Sequence, residues 1–243
     1  MNRRNGAFGI KGALGLAALL VVASGCGGDD KGDAADAFAK KKADDIVATA
    51  KADMKELDSV HYTGELSSGG QEISLDIRAT SDGTCAGSFG VGEGSAEILG
   101  VDGESWFRPD EAFWRAQSPD QADVIIAAVG DKWVADSSGE FTQFCDLDSL
   151  LDDVLTDSTD GATYTVDGTE ELDGETVVKV DREEEGVDGV SSGYVLAESP
   201  HYLVKIEKTS GADAGTLTFA EFNDDVTAEA PADDEVADLN SIG

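Results

Sequence analysis

Three cysteines, two histidines and 51 aspartates and glutamates are the side chains of this 243-residue chain that could do nucleophilic, metal or acid–base chemistry. Their spacing argues against most of it. Gly189-Val190-Ser191-Ser192-Gly193 fits the pattern G-x-S-x-G, but that serine is reactive only on a sharp strand-to-helix turn, and here the strand-like Tyr194-Val195-Leu196-Ala197 follows it. Asp181, Glu183, Glu185 and Gly186 begin like a calcium loop, yet the twelfth position is Ser192 where a bidentate glutamate is needed. An acidic hairpin is the better reading. His61 and His201 lie far apart, each on or beside a predicted strand, and two isolated imidazoles give poor support for a zinc site or a Ser-His-Asp triad. Carboxylates this numerous single out no catalytic pair. The sequence therefore points to no catalytic residue, metal or cofactor, and leaves the sulfur atoms as the groups with a readable role.

Cys26 stands where an apolar run ends and a glycine and aspartate run begins. Arg3, Arg4 and Lys11 lead, an uncharged run extends from Ala13 to Val22, and the small residues Ala23, Ser24 and Gly25 follow, which is the order of a secretory signal peptide. The apolar run is about half of the roughly 20 residues a membrane-spanning helix needs. Ala23-Ser24-Gly25-Cys26 resembles a bacterial lipobox, with Ala23 where leucine is usual, and that resemblance implies diacylation of the Cys26 thiol and cleavage before it. Two acyl chains, at about 0.8 kcal/mol per buried methylene, make a stable anchor. The expected organisation is a signal peptide over 1–25, a lipidated cysteine and flexible tether over 26–33, and one domain over 34–243 on the extracytoplasmic face of the cell membrane. Cys85 and Cys145 are the thiols left over; in an oxidising space an even pair is expected to form a disulfide.

The formal net charge of −34 repels nucleic acid phosphates and excludes DNA and RNA as partners. The cations are unevenly placed: Lys31, Lys40, Lys41, Lys42, Lys51 and Lys55 all follow closely on the anchor. They read as a solvated helix face that also offsets repulsion between an acidic body and anionic headgroups.

These side chains must be carried by something with a core. Ala34 to about Leu57 places Phe38, Ile46, Val47, Ala50, Met54 and Leu57 at helical intervals, predicting one long amphipathic helix. Gln71 to Ala79 alternates without error, with Ile73, Leu75 and Ile77 on one face and Glu72, Ser74, Asp76 and Arg78 on the other, which predicts a half-buried strand. Val60–Ser67 reads as its hairpin partner, and Thr84–Phe89, Ala96–Val101 and Ser105–Arg108 continue the meander. A helix over Ala122–Val129, a short strand over Lys132–Ala135 and a helix from about Phe141 to Leu155 interrupt it. The meander resumes with Ala162–Glu170, Glu175–Arg182, Gly193–Ala197, Tyr202–Lys208 and Thr216–Phe222. The class is α+β with about ten antiparallel strands, in two sheets or one curved sheet. The stretch from Trp106 to Trp114, with Trp133 nearby, holds every tryptophan; it is expected to pack where the meander meets the helical insertion, or else to border an opening for an apolar ligand.

The order of lipobox, tether, helix, meander, helical insertion and closing meander, with YVLAESPHYLVKIEK at Tyr194 to Lys208, GTLTFAEF at Gly215 to Phe222 and VTAEAPADDEVADL at Val226 to Leu239, resembles actinobacterial cell-surface lipoproteins of the LppX and LprG family, and more remotely the LolA and LolB carriers. The Cys85 and Cys145 pair resembles the streptomycete members. The resemblance implies a single strongly curved antiparallel sheet, a half-barrel, with helices across its concave face and an apolar cavity for acyl chains between them. Ile73, Leu75, Ile77, Val178, Val180, Val204 and Ile206 would then face inward beneath the helix of Leu147 and Leu151 and line the cavity. The function expected is binding or carriage of a membrane lipid, glycolipid or other amphiphile without catalysis. The alternative is an interaction lipoprotein with a filled core that engages a protein of the cell envelope.

Overall fold

A computed structural model of the chain describes residues 30–139, 141–155, 162–211 and 214–237. The signal peptide and Cys26 lie outside the described residues. Two helices open the fold, α1 (Asp30–Ala39) and α2 (Ala43–Met54). The single helix predicted here is broken, and α1 begins inside the stretch read as tether. A continuous helix would carry Lys42 onto the buried face four residues after Phe38. Instead Lys42 is extended at ψ 149° and exposed, and Ala43 takes the buried place.

Five strands follow as a meander: β1 (Ser59–Ser68), β2 (Gln71–Thr80), β3 (Cys85–Val91), β4 (Gly94–Val101) and β5 (Glu104–Pro109). The alternation read in Gln71–Ala79 appears as burial, with Ile77 and Ala79 fully buried and Glu72, Ser74, Asp76 and Arg78 exposed. The insertion contains α3 (Glu111–Gln117), α4 (Ala122–Val129), β6 (Trp133–Ala135), a 3₁₀ turn at Thr142–Phe144 and α5 (Leu147–Leu155). The α3 helix was not read from the sequence, although Asp110 is a good N-cap: its carboxylate accepts the Phe113 N–H at 2.7 Å. The helix expected from Phe141 is interrupted at Cys145 and Asp146, where the disulfide fixes the chain and the Asp146 carboxylate accepts the Ser149 N–H at 2.9 Å.

The second meander is β7 (Ala162–Leu172), β8 (Glu175–Glu184), β9 (Ser191–Leu196), β10 (Leu203–Lys208) and β11 (Gly215–Ala220), and β12 (Val236–Ala237) closes the described chain. The twelve strands form one open, curved sheet in the order β12-β6-β5-β4-β3-β2-β1-β11-β10-β9-β8-β7. It is antiparallel except where β12 runs parallel to β6. The two meanders join at β1 and β11, first and last of the long strands. All five helices bury residues in one core with the inward side chains of the sheet, the α+β half-barrel class expected from the sequence.

The aromatic cluster of the core lies over β3–β5. Phe219, Tyr62, Ile77, Gly87, Ile98, Phe107 and Val134 are successive cross-strand partners in one inward row. Phe89 sits with its ring centroid 5.7 Å from Phe113, 5.2 Å from Phe141 and 5.6 Å from Phe144. Such aromatic pairs contribute about 0.5–1.5 kcal/mol each beyond area burial. Tyr62 is fully buried and donates its hydroxyl to the Phe144 carbonyl at 2.6 Å; burial pushes its pKa well above the ordinary tyrosine value. Cys85 and Cys145 are bonded, with Cα atoms 5.2 Å apart, and tie β3 to the insertion. Gly100 makes room for them, because a Cβ there would meet Cys145 Sγ at 2.8 Å and Cys85 Sγ at 3.1 Å.

Candidate functional site

The β8–β11 half of the same face is built differently. Along the row Val180, Gly193, Ile206 and Leu217 the inward positions are aliphatic side chains and a glycine. A cavity of about 590 Å³ remains between these strands and the two helices α2 and α5, within the roughly 300–1,000 Å³ of small-molecule sites.

Its wall is ordered along the strands. Val180, Gly193, Ile206 and Leu217 are cross-strand partners in one row, and all four line the space with Val195 and Leu203. The next row outward is Tyr164, Arg182, Ser191, Lys208, Gly215 and Leu66, again partner by partner, and it too lines the cavity. The roof is Val47, Ala50 and Lys51 of α2 and Val154 and Leu155 of α5. An ion pair at 2.9 Å joins Lys55, the residue that caps α2, to Asp152 of α5. The helical layer is seated from the other side by Phe38, stacked on His201 with centroids 3.7 Å apart, and by Asp53, which accepts the His201 N–H at 2.7 Å.

Of the residues expected to line a cavity, Val180 and Ile206 do so. Ile77, Val178, Leu147 and Leu151 are buried in the filled core, and Ile73 and Leu75 are half-buried on β2 and do not line the space. Val204 is displaced by a register shift between Leu203 and Lys205. Leu203 pairs with Val195 and Lys205 with Tyr194, so Val204 is the extra residue of a bulge, and the inward pair is Leu203 and Ile206, three apart. Sequence reasoning missed Leu66, Val195, Gly193, Leu203 and Leu217. Glycine inside a strand pattern was the available signal, obscured at Gly193 by its part in the G-x-S-x-G match.

The chemical alternatives can be placed too. Ser191 opens strand β9 and is on no strand-to-helix elbow. Asp181 and Glu183 belong to strand β8, not to a loop. Among the described residues no three His, Cys, Asp or Glu side chains group to hold a metal ion, and no helix is long and apolar enough to cross a membrane. Trp106 and Trp114 are buried, while Trp133 lies under the Arg108 guanidinium at 4.6 Å; none of the three borders the cavity.

The outer face behind the cavity is polar. Tyr194 donates to Glu207 at 3.1 Å, Lys205 pairs with Glu207 at 2.6 Å, and Lys179 pairs with Asp167 at 2.7 Å. Burial, aided by the Glu207 hydrogen bond, pushes the Tyr194 hydroxyl up to about 12. One side of these strands is thus held by charge pairs in water while the other faces an apolar space.

No protein-family model matches the chain, and no curated protein does. Among solved structures, LprF from Mycobacterium bovis is similar at a TM-score of 0.55 and 17% identity, over 78% of this chain and 97% of that one. Lipoprotein LppX from Mycobacterium tuberculosis is similar at a TM-score of 0.44 and 15% identity, over 80% and 99%. The chain has the fold of LprF, a structure of the mycobacterial lipoprotein group that the sequence resembles.

Proposed function

We propose that this chain is a lipoprotein of the cell envelope, anchored through a diacylated Cys26 to the extracytoplasmic face of the membrane, that holds the acyl part of a lipid or other amphiphile between its sheet and helices. The observation that carries the reading is the cavity of about 590 Å³ with an apolar inner wall. A module that worked only through its outer surface would gain from filling that space, because an unfilled apolar cavity forgoes roughly 24 cal/mol of stability per Å³. The lipobox resemblance at Ala23 to Cys26 supports the anchor, and the fold shared with LprF supports the envelope setting.

Native mass spectrometry of the protein taken from its own membrane tests the reading: a lipid mass should accompany the folded chain and disappear in Ile206→Trp, which fills the wall. A wild-type protein that brings no lipid and binds no fluorescent acyl probe overturns it. The anchor is tested separately, since Cys26→Ser should move the protein from the membrane fraction to the medium or leave it uncleaved. Mature Cys26→Ser protein that still sediments with membranes after a salt wash would refute the anchor.

A further inference from the structure

We infer that the cavity selects a single-chain amphiphile with an anionic head, a carboxylate or a phosphate; this rests on the reading of the cavity as an amphiphile site. The first observation is where the cations are. The chain has 17 lysines and arginines against 51 acidic residues, yet among the described residues Lys51, Arg182 and Lys208 all line this one space and Glu184 is its sole carboxylate. Among the described residues this wall has more cations than anions, the reverse of the protein as a whole.

The second observation is their order. Along β8, β9 and β10 the deeper row is Val180, Gly193 and Ile206, and the next is Arg182, Ser191 and Lys208. Two strand spacings, about 10 Å, separate the Arg182 and Lys208 backbones, with the Ser191 hydroxyl between them. Successive rows on one face lie about 7 Å apart along the strands. The wall therefore passes from apolar to cationic within one step, matching an acyl chain that ends in an anion. Arg182 is oriented by Glu184 at 2.5 Å, which keeps its remaining donors in a fixed fork. Lys208 is half-buried and has no ion-pair partner among the described residues. An incoming anion gains more at a half-buried ammonium than at an exposed one, since solvent screens it less.

The third observation is volume. With each methylene taken as about the 30 Å³ share of a liquid water, 590 Å³ holds about 20 carbons. That matches one long acyl chain.

The test uses the whole chain with Cys26→Ser, so that no acyl group of its own competes, and measures binding of hexadecanoate, hexadecyl phosphate and the uncharged 1-hexadecanoylglycerol. At least one of the two anions should bind about tenfold tighter than the uncharged ligand, at one per protein, as expected for a charge-assisted contact; which anion is preferred tells carboxylate from phosphate. High salt should reduce the preference. The double variant Arg182→Gln/Lys208→Gln should lose it while still binding 1-hexadecanoylglycerol, and Lys208→Arg should keep it. Equal binding of charged and uncharged ligands, or a preference untouched by the double variant, overturns the anionic head and leaves the amphiphile reading standing. Two chains bound per cavity overturns the single-chain assignment. Binding of none of the three ligands overturns both readings together.

Discussion

Leu217, Gly64, Leu75 and Phe89 follow one another across strands β11, β1, β2 and β3, and Ile206, Gly193 and Val180 extend the same row through β10, β9 and β8. At the β3 end the inward residue is a phenylalanine in contact with three other rings. At the β9 end it is a glycine facing the cavity. Pairing continues through the row while side-chain volume and the elements packed over it change. One half of the sheet uses its concavity to be stable, and the other leaves the concavity unspent. The same fold can therefore be a core or a container according to a few residues on neighbouring strands.

That comparison can be broken from the filled side first. Phe89→Ala should lower stability by about 3–5 kcal/mol, because it removes a buried ring from a dense cluster, whereas Ile206→Ala, on a wall that already borders open space, should fall near the lower end of large-to-small changes at about 1 kcal/mol. Denaturant unfolding of the two variants measures the contrast. Similar losses would mean that the two halves are equally filled. Reduction of the Cys85–Cys145 bond, which closes a separation of 60 residues, should follow at about 4 kcal/mol in the chain-entropy model, lowering Tm by about 10 °C while leaving the proposed acyl binding in place, since neither cysteine lines the cavity.

Smaller effects sharpen the same contrast. Tyr62→Phe leaves the Phe144 carbonyl without its donor and should cost about 1–3 kcal/mol, again without change in binding. Asp136 pins the loop that brings Phe141 to Phe89. Burial favours its neutral form, but the Ser138 hydroxyl and the N–H groups of Phe141, Thr142 and Gly139 prevail and hold its carboxyl below the ordinary value. With the folded pKa below the unfolded one, its contribution is complete above the unfolded carboxylate pKa of about 3.9 and is lost as pH falls through the folded value. Asp136→Asn should thus be less stable than wild type at neutral pH, and the difference should shrink below about pH 4, as Tm measured against pH would record.

How far the sequence carried this differs between the two halves. The strand faces of β2 and the extent of α4 were legible because each follows a single period, two or 3.6, that depends on one element. The break between Phe38 and Ala43 was hidden, since Phe38 and Ile46 fit one continuous helical stripe as well as two helices. The cavity wall was only partly legible. Val180 and Ile206 follow from alternation, but Leu203 enters through a bulge defined by the pairing of β10 with β9, and Leu66 through the pairing of β1 with β11. Register between strands distant in sequence is a tertiary property, and no local period encodes it. An inward valine also reads the same over a filled core as over a space.

Gly193 is where the contrast between the halves can be tested with least disturbance to folding. Its backbone is not in the left-handed region, so a side chain adds no conformational strain, and removing a glycine from a strand is itself mildly favourable. A Cβ there would touch Leu203 Cδ1 at 3.4 Å and the Val180 carbonyl oxygen at 3.9 Å, both ordinary contacts. Because its cross-strand partners Val180 and Ile206 both line the cavity, the new side chain would point into that space. In a filled core, Gly193→Leu would overpack and cost about 1–3 kcal/mol. In a container it displaces ligand volume instead: Tm should change by no more than a few degrees, about 1 kcal/mol either way, while binding of a fluorescent acyl probe is lost. A marked fall in Tm would place β9 with β3 on the filled side and end the distinction between the two halves. Unchanged Tm with unchanged binding would mean that the acyl chain lies elsewhere than against this row.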